Sequence, residues 1–171
     1  LKAWRSTMGL SMDDAEKLAA AANHIANEMN AVAGDVGQVL QRQGALMKTA
    51  GLSAEQAAAF SAALLSGGAS PEQAATAAKN IMLALTKGSA ASSSERAALE
   101  ALGFHDPKRL AQAMQAAPEE AMMMVFERIG NLAEDEQVSV MGQLFGSSAV
   151  GAVAPLVGNL DALANAFGLV R

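Results

Sequence analysis

Three closely similar phrases divide this chain, and they constrain its fold more than any other feature. They are GLSMDDA at residues 9–15, GLSAEQA at 51–57 and GASPEQA at 68–74. In each phrase Gly can take the left-handed conformation that closes a helix, Ser can cap the next helix, and an acid or Gln occupies its first turn. Each phrase is therefore predicted to end one helix and to begin another.

A looser junction lies at residues 103–107, where the sequence is GFHDP. Here the cap moves to Asp106, and Pro107 takes the first helical position, where its missing N–H group is not needed.

About ten short helices with short joints and no strand pattern predict a compact all-α array. One stripe is especially regular, since its apolar residues advance by three or four along a helix: Met12, Ala15, Leu18, Ala22, Ile25, Met29 and Val32.

The third predicted helix contains several glycines. Gly34 permits a break before it, and Asp35 and Gln38 stand in capping-box spacing at its start. Gly37 and Gly44 lie inside it and weaken it, because Gly is unfavourable in a helix interior.

Alanine shapes the expected core. Hydrophobic residues make up 51% of the chain, but Ala is the commonest of them, aromatic residues are 4% and Tyr is absent. Because Ala favours helix while burying little surface, local helix propensity should contribute much to stability and deep packing little.

The length predicts one domain over residues 1–171, with an exposed, mobile loop at 88–94. Since Leu1 is not an initiator Met and the chain stops at Arg171 without an obvious terminator, we expect a fragment of a longer protein.

Composition also excludes several classes of function. The net charge is −5 and the twelve Lys and Arg residues are scattered, so no electrostatic footprint for DNA is present. Cys is absent, which excludes disulfides and thiolate metal sites. No apolar run approaches the ~18 residues that would span a bilayer.

Neither of the two His residues predicts a site. His24 stands one helical turn before Glu28, so a metal or acid–base pair is conceivable, but a solvated pair is much commoner. His105 directly precedes the Asp106 cap, where turn chemistry is the favoured interpretation. Neither His has a metal-ligand spacing.

Acidic residues invite a search for catalytic carboxylates, but they lie at predicted helix starts, where they complement the helix dipole. These residues are Asp13, Asp14, Glu119, Glu120, Glu134, Asp135 and Glu136. No nucleophile elbow or phosphate loop occurs. The sequence therefore predicts no catalytic, cofactor-binding or metal site, no cofactor, and no enzyme.

Two apolar features remain. On a helix the side chains of Met122, Met123 and Met124 spread over about 200°, so at most two can share a buried face, and core packing is favoured over a partner surface. Trp4, the only Trp, is either a core residue or a contact for a missing part of the protein.

The order of several phrases carries a family resemblance. The phrases are GD at 34–35, KTAGLS at 48–53, ALEALGF at 98–104, APEEA at 117–121 and LFG at 144–146. In this order and spacing, from about Met8 to about Leu169, the chain resembles the conserved core region of phage tail tape measure proteins.

This resemblance implies a structural module that contributes to tail assembly and to tail length determination. It implies contacts with the tail tube, with tail tip or baseplate proteins and with tail assembly chaperones, and it leaves self-association open. It implies location in the lumen of the virion tail after assembly in the host cytoplasm, with no specific nucleic acid and no transmembrane span in this segment.

Two other classes stay open on the residues alone. A pore-forming toxin-like helical domain would also be all-α and free of Cys, but it should contain a long apolar hairpin. A helical adaptor or scaffold would suit the recurring junctions, although their spacing lacks the fixed period of a solenoid.

Overall fold

The computed structural model describes residues 2–171; residue 1, which the predicted domain includes, lies outside them. The described chain contains eleven α-helices, two short 3-10 turns and no strand, which confirms the all-α prediction. The helices are α1 (Lys2–Met8), α2 (Met12–Met29), α3 (Ala33–Thr49), α4 (Ala54–Ser66), α5 (Pro71–Thr86), α6 (Ser93–Ala101), α7 (Pro107–Ala116), α8 (Pro118–Gly130), α9 (Glu134–Phe145), α10 (Val150–Gly158) and α11 (Leu160–Gly168).

The predicted junction chemistry is present at each repeated phrase. Ser11, Ser53 and Ser70 each accept a hydrogen bond of 3.1 Å from a backbone N–H group in the first turn that follows. In the last two cases the side-chain oxygens of Gln56 and Gln73 accept a hydrogen bond from the backbone N–H group of the Ser, which completes a capping box. The preceding Gly has positive φ in all three phrases.

The predicted break at Gly34 is wrong. Helix α3 begins at Ala33 and runs through Gly34, and the capping box of Asp35 and Gln38 does not form. The chain turns earlier, at Asn30, which takes the left-handed conformation with φ 58° and closes α2. Asn tolerates this conformation better than most residues, so it replaces Gly as the helix terminator here.

The apolar stripe of α2 is buried from Ala15 to Met29, as predicted. Its two ends are not part of the core, because Met12 is 46% exposed and Val32 is 63% exposed. Met12 is the first residue of α2, whereas Val32 lies beyond the end of this helix and precedes α3.

Helix α4 occupies the centre of the molecule. It packs against α2, α3, α5, α10 and α11, and every residue from Ala57 to Leu64 is buried. Five of these are Ala, so the surrounding helices approach closely, and Phe60 fills the remaining space. The hydroxyl of Ser61, buried among them, donates to the Ala57 carbonyl at 2.8 Å.

The segment predicted as a mobile loop contains local structure. Residues Gly88–Ala90 form a 3-10 turn, and Ser92 caps α6 in a capping box with Glu95. The guanidinium of Arg96 donates to the carbonyls of Ser89 and Ala91. These bonds fix the path of the backbone between α5 and α6.

Candidate functional site

The residues singled out as candidate chemical groups stay apart in the structure. His24 and Glu28 are both exposed on α2, and no ion pair joins them in the described chain. His105 lies in the turn before α7, with Nδ1 3.8 Å from a carboxylate oxygen of Glu100. In residues 2–171 no group of three or more His, Asp or Glu side chains is arranged to hold a metal ion.

The acidic residues at helix starts lie where the sequence predicted them. Asp13 and Asp14 are in the first turn of α2, Glu119 and Glu120 in that of α8, and residues 134–136 in that of α9. In these positions the carboxylates face the positive ends of the helix dipoles.

A surface groove lies between α7 and α8. Its volume is about 600 Å³. Its apolar lining comprises Phe104, Leu110, Ala113, Ala117, Ala121 and Met124. We refer to this feature as the α7–α8 groove. Leu110 and Ala121 are buried in its floor, whereas Met124 is 43% exposed at its edge.

The turn at residues 103–106 closes one end of the groove. The Arg128 guanidinium donates to the Leu102 carbonyl at 3.0 Å and lies over the Phe104 ring at 4.5 Å from its centre. A cation over an aromatic face is attractive, so Arg128 holds Phe104 against the groove wall. The same contact shows that the end of α8 lies beside the start of α7.

The two helices therefore run in opposite directions, and this gives the groove an electrostatic polarity. Arg109, in the first turn of α7, lines one end, and Glu120, in the first turn of α8, lines the other. The Arg109 side chain is 87% exposed, and its Nε atom lies 3.9 Å from a carboxylate oxygen of Asp106. At this distance and exposure the ion pair is weak.

Beyond the Glu120 end, a hydrogen-bond network joins three distant parts of the chain. The Glu119 carboxylate accepts from the Gln56 amide at 2.7 Å and from the Arg171 guanidinium at 2.8 Å. Gln56 also completes the capping box of Ser53. The network thus fixes the start of α4, the start of α8 and residue 171 relative to one another.

The methionine triplet meets the geometric expectation. Met122 is fully buried, Met123 is half-buried and Met124 is exposed. The preference for core packing is therefore correct for the first residue and wrong for the third, which lines the α7–α8 groove. Sequence spacing alone could not reveal this groove, because it depends on how α7 and α8 meet at Ala117.

The profile of the phage-related minor tail protein family matches residues 1–146. The chain belongs to this family. It is also similar to a probable tape measure protein of Halomonas phage phiHAP-1, with 43% identity over 167 residues. These findings confirm the family resemblance that the order of the phrases predicted.

The match to the Halomonas phage protein is unequal in coverage. It includes 98% of the chain but 19% of the relative, so the chain spans about a fifth of that protein's length. No solved structure matches the chain.

In residues 2–171 no single helix is both long and apolar enough to cross a bilayer. The segments Glu134–Phe145 and Ser147–Gly158 meet the length and composition criteria only together, and they are bent by 116°.

Proposed function

We propose that residues 1–171 form a single compact domain of a longer tape measure protein, and that this domain contributes to tail assembly and tail length determination. The observation that carries the proposal is the family match over residues 1–146, supported by the 43% identity to the probable tape measure protein.

The dimensions of the domain favour an organising role over direct measurement of length. The longest helix, α2, has 18 residues and extends about 27 Å. A folded chain of 171 residues has a radius of gyration of about 16 Å, whereas one continuous helix of that length would reach about 255 Å. Length would therefore be measured mainly by other parts of the longer protein.

We further propose that the domain is not an enzyme and has no cofactor or catalytic residue. Its partners would be other tail components, namely the tail tube, tail tip or baseplate proteins and assembly chaperones, together with a second copy of itself. The protein would act in the tail lumen of the virion after assembly in the host cytoplasm.

An in-frame deletion of residues 11–168 in a phage that carries the parent gene tests the proposal. We expect tails to be absent or abnormal in length in electron micrographs of the lysate, while heads form normally. The variant Gly34→Ala is a matched control, because a side chain at this exposed helical position meets no atom within 4 Å. Tails of normal number and length in the deletion mutant would refute the proposed function.

A further inference from the structure

The α7–α8 groove has a shape and charge distribution suited to a copy of itself. We propose that two copies of the domain associate face to face across this groove. The two-fold axis that relates them is perpendicular to the long axis of the groove. This inference rests on the proposed function, since it names the surface through which one tail component would meet another copy of itself.

The two ends of the groove carry opposite charges. One end of the groove has Arg109, with Asp106 3.9 Å away, and Lys108 follows Asp106 closely in the chain, so this end keeps a net positive charge. The opposite end has Glu120. A two-fold rotation reverses the groove, so the Arg109 end of one copy meets the Glu120 end of the other, and this happens twice per dimer. The charge distribution of one groove is therefore complementary to that of an identical groove in the opposite orientation. Such pairs select partner and orientation more than they add affinity.

The apolar lining of the groove combines one long side chain with several small ones. Met124 projects at the edge of the groove, next to a floor of small side chains at Ala113, Ala117 and Ala121. In a two-fold pair, Met124 of each copy can enter the space above the partner's Ala residues. Met is flexible and adapts to such a surface, while Ala allows close approach of the helices. Each copy therefore supplies both the projecting residue and the cavity that receives it.

The groove is also held in shape before any second copy arrives. Arg128 fixes Phe104 at one end, and the bonds of Glu119 fix the start of α8 at the other. A preformed surface loses little conformational freedom on association. A standard interface buries about 800 Å² per partner, roughly a tenth of the 7836 Å² accessible surface of this domain.

Sedimentation equilibrium of the 171-residue chain between about 1 µM and 1 mM tests the proposal. We expect the average mass to rise with concentration from 17.4 kDa towards twice that value. The variant Met124→Glu should raise the dissociation constant at least tenfold, because it places a carboxylate in each apolar contact. Val138→Glu is the matched control, since Val138 is 57% exposed on α9 and outside the groove. It should leave the dissociation constant unchanged.

Charge reversal tests the two-fold geometry itself. Arg109→Glu alone and Glu120→Arg alone should each weaken self-association by roughly tenfold, because each dimer would then contain two repulsive pairs. An equimolar mixture of the two variants should associate again, since both pairs become attractive. The double variant should do so by itself. Circular dichroism of each variant verifies that the fold is unchanged.

A mass of 17.4 kDa at every concentration would exclude the dimer. Association that survives Met124→Glu, or single charge variants that do not recover when mixed, would place the contact elsewhere. Either failure would leave the outcome of the phage deletion experiment unaffected, so the two proposals stand or fall separately.

Discussion

Gly51 is fixed both by its own backbone and by a neighbouring helix. Its φ of +123° is one that residues with a side chain rarely adopt, and a Cβ atom at this position would overlap the carbonyl oxygen of Met114 in α7. In the same region the Gln115 side chain donates to the Thr49 carbonyl at 2.8 Å. The junction after α3 is thus also the contact surface for the end of α7.

We expect Gly51→Ala to lower the free energy of unfolding by about 2–4 kcal/mol, from the unfavourable φ together with the overlap at Met114. The matched control is Gly34→Ala in α3, which should be neutral or should stabilise the domain by up to about 1 kcal/mol. Urea denaturation followed by circular dichroism measures both. Equal effects of the two substitutions would contradict the assigned role of Gly51.

Glu95 combines a capping role with a charge pair. Its carboxylate accepts from the Ser92 backbone at 3.1 Å and from Lys87 Nζ at 2.9 Å. Partial burial acts to raise the pKa of Glu95, but the hydrogen bonds from Lys87 and Ser92 outweigh burial, so the pKa is lowered overall. A lowered pKa in the folded state stabilises the fold at a pH above the unfolded value near 4.3, and this contribution disappears as the pH falls through the folded value.

The substitution Glu95→Gln separates the two roles of this residue. Gln completes the capping boxes at Ser53 and Ser70, so it should preserve the cap here and remove only the charge pair. We expect a loss of about 0.5–1 kcal/mol at pH 7 and a smaller loss at about pH 3. Urea midpoints at the two pH values measure this, with Glu16→Gln on the exposed face of α2 as the control. A loss that is independent of pH would show that the charge pair contributes nothing.

At the scale of elements, α1 depends on two glycines that the sequence alone marked as defects of α3. A Cβ atom at Gly37 would lie 3.2 Å from the Trp4 ring, and one at Gly44 would lie 2.7 Å from Sδ of Met8. Trp4 also donates to the Gly37 carbonyl at 3.3 Å. The glycines leave the space in which α1 packs, so of the two alternatives for Trp4 the structure supports an internal contact.

We expect Gly44→Val to displace α1 while the remaining helices stay folded, since the added side chain would occupy the position of Met8. The fluorescence of Trp4, the only Trp, should shift to longer wavelength as the ring enters water. The loss of helical circular dichroism should not exceed the seven residues of α1. Gly34→Val is the control, because that position has no neighbouring atom within 4 Å. Unchanged Trp4 emission, or unfolding of the whole domain, would contradict this account.

The elements also show what local sequence can and cannot predict. The caps at Ser53 and Ser70 were predictable because their chemistry is complete within four residues. The end of α2 was not, since both Asn30 and Gly34 are competent terminators and the packing of α3 decides between them. The α7–α8 groove was not predictable either, because its lining comes from two helices whose relative position no local pattern specifies.

In the whole molecule, the end of the chain returns to its first half. Helix α11 packs against α2, α4 and α8, with Leu163, Ala166 and Phe167 fully buried. The bond from Arg171 to Glu119 closes the same contact at the surface. Because α11 packs against α4, local unfolding of α11 would expose this central helix. The contacts of α11 also join parts of the chain that are far apart in sequence. The domain should therefore resist being drawn out into an extended chain.

Tail length in a phage that carries the parent gene tests whether this compact form exists inside the tail. Duplicating a long uninterrupted helical stretch elsewhere in the protein should lengthen the tail by about 1.5 Å per added residue. Duplicating residues 11–168 should add much less per residue, because a folded body extends the tail by no more than its own diameter. Electron micrographs of both mutants provide the measurement. Equal lengthening per residue would mean that this domain is threaded open within the tube, and unchanged length in both mutants would reject a role in length determination.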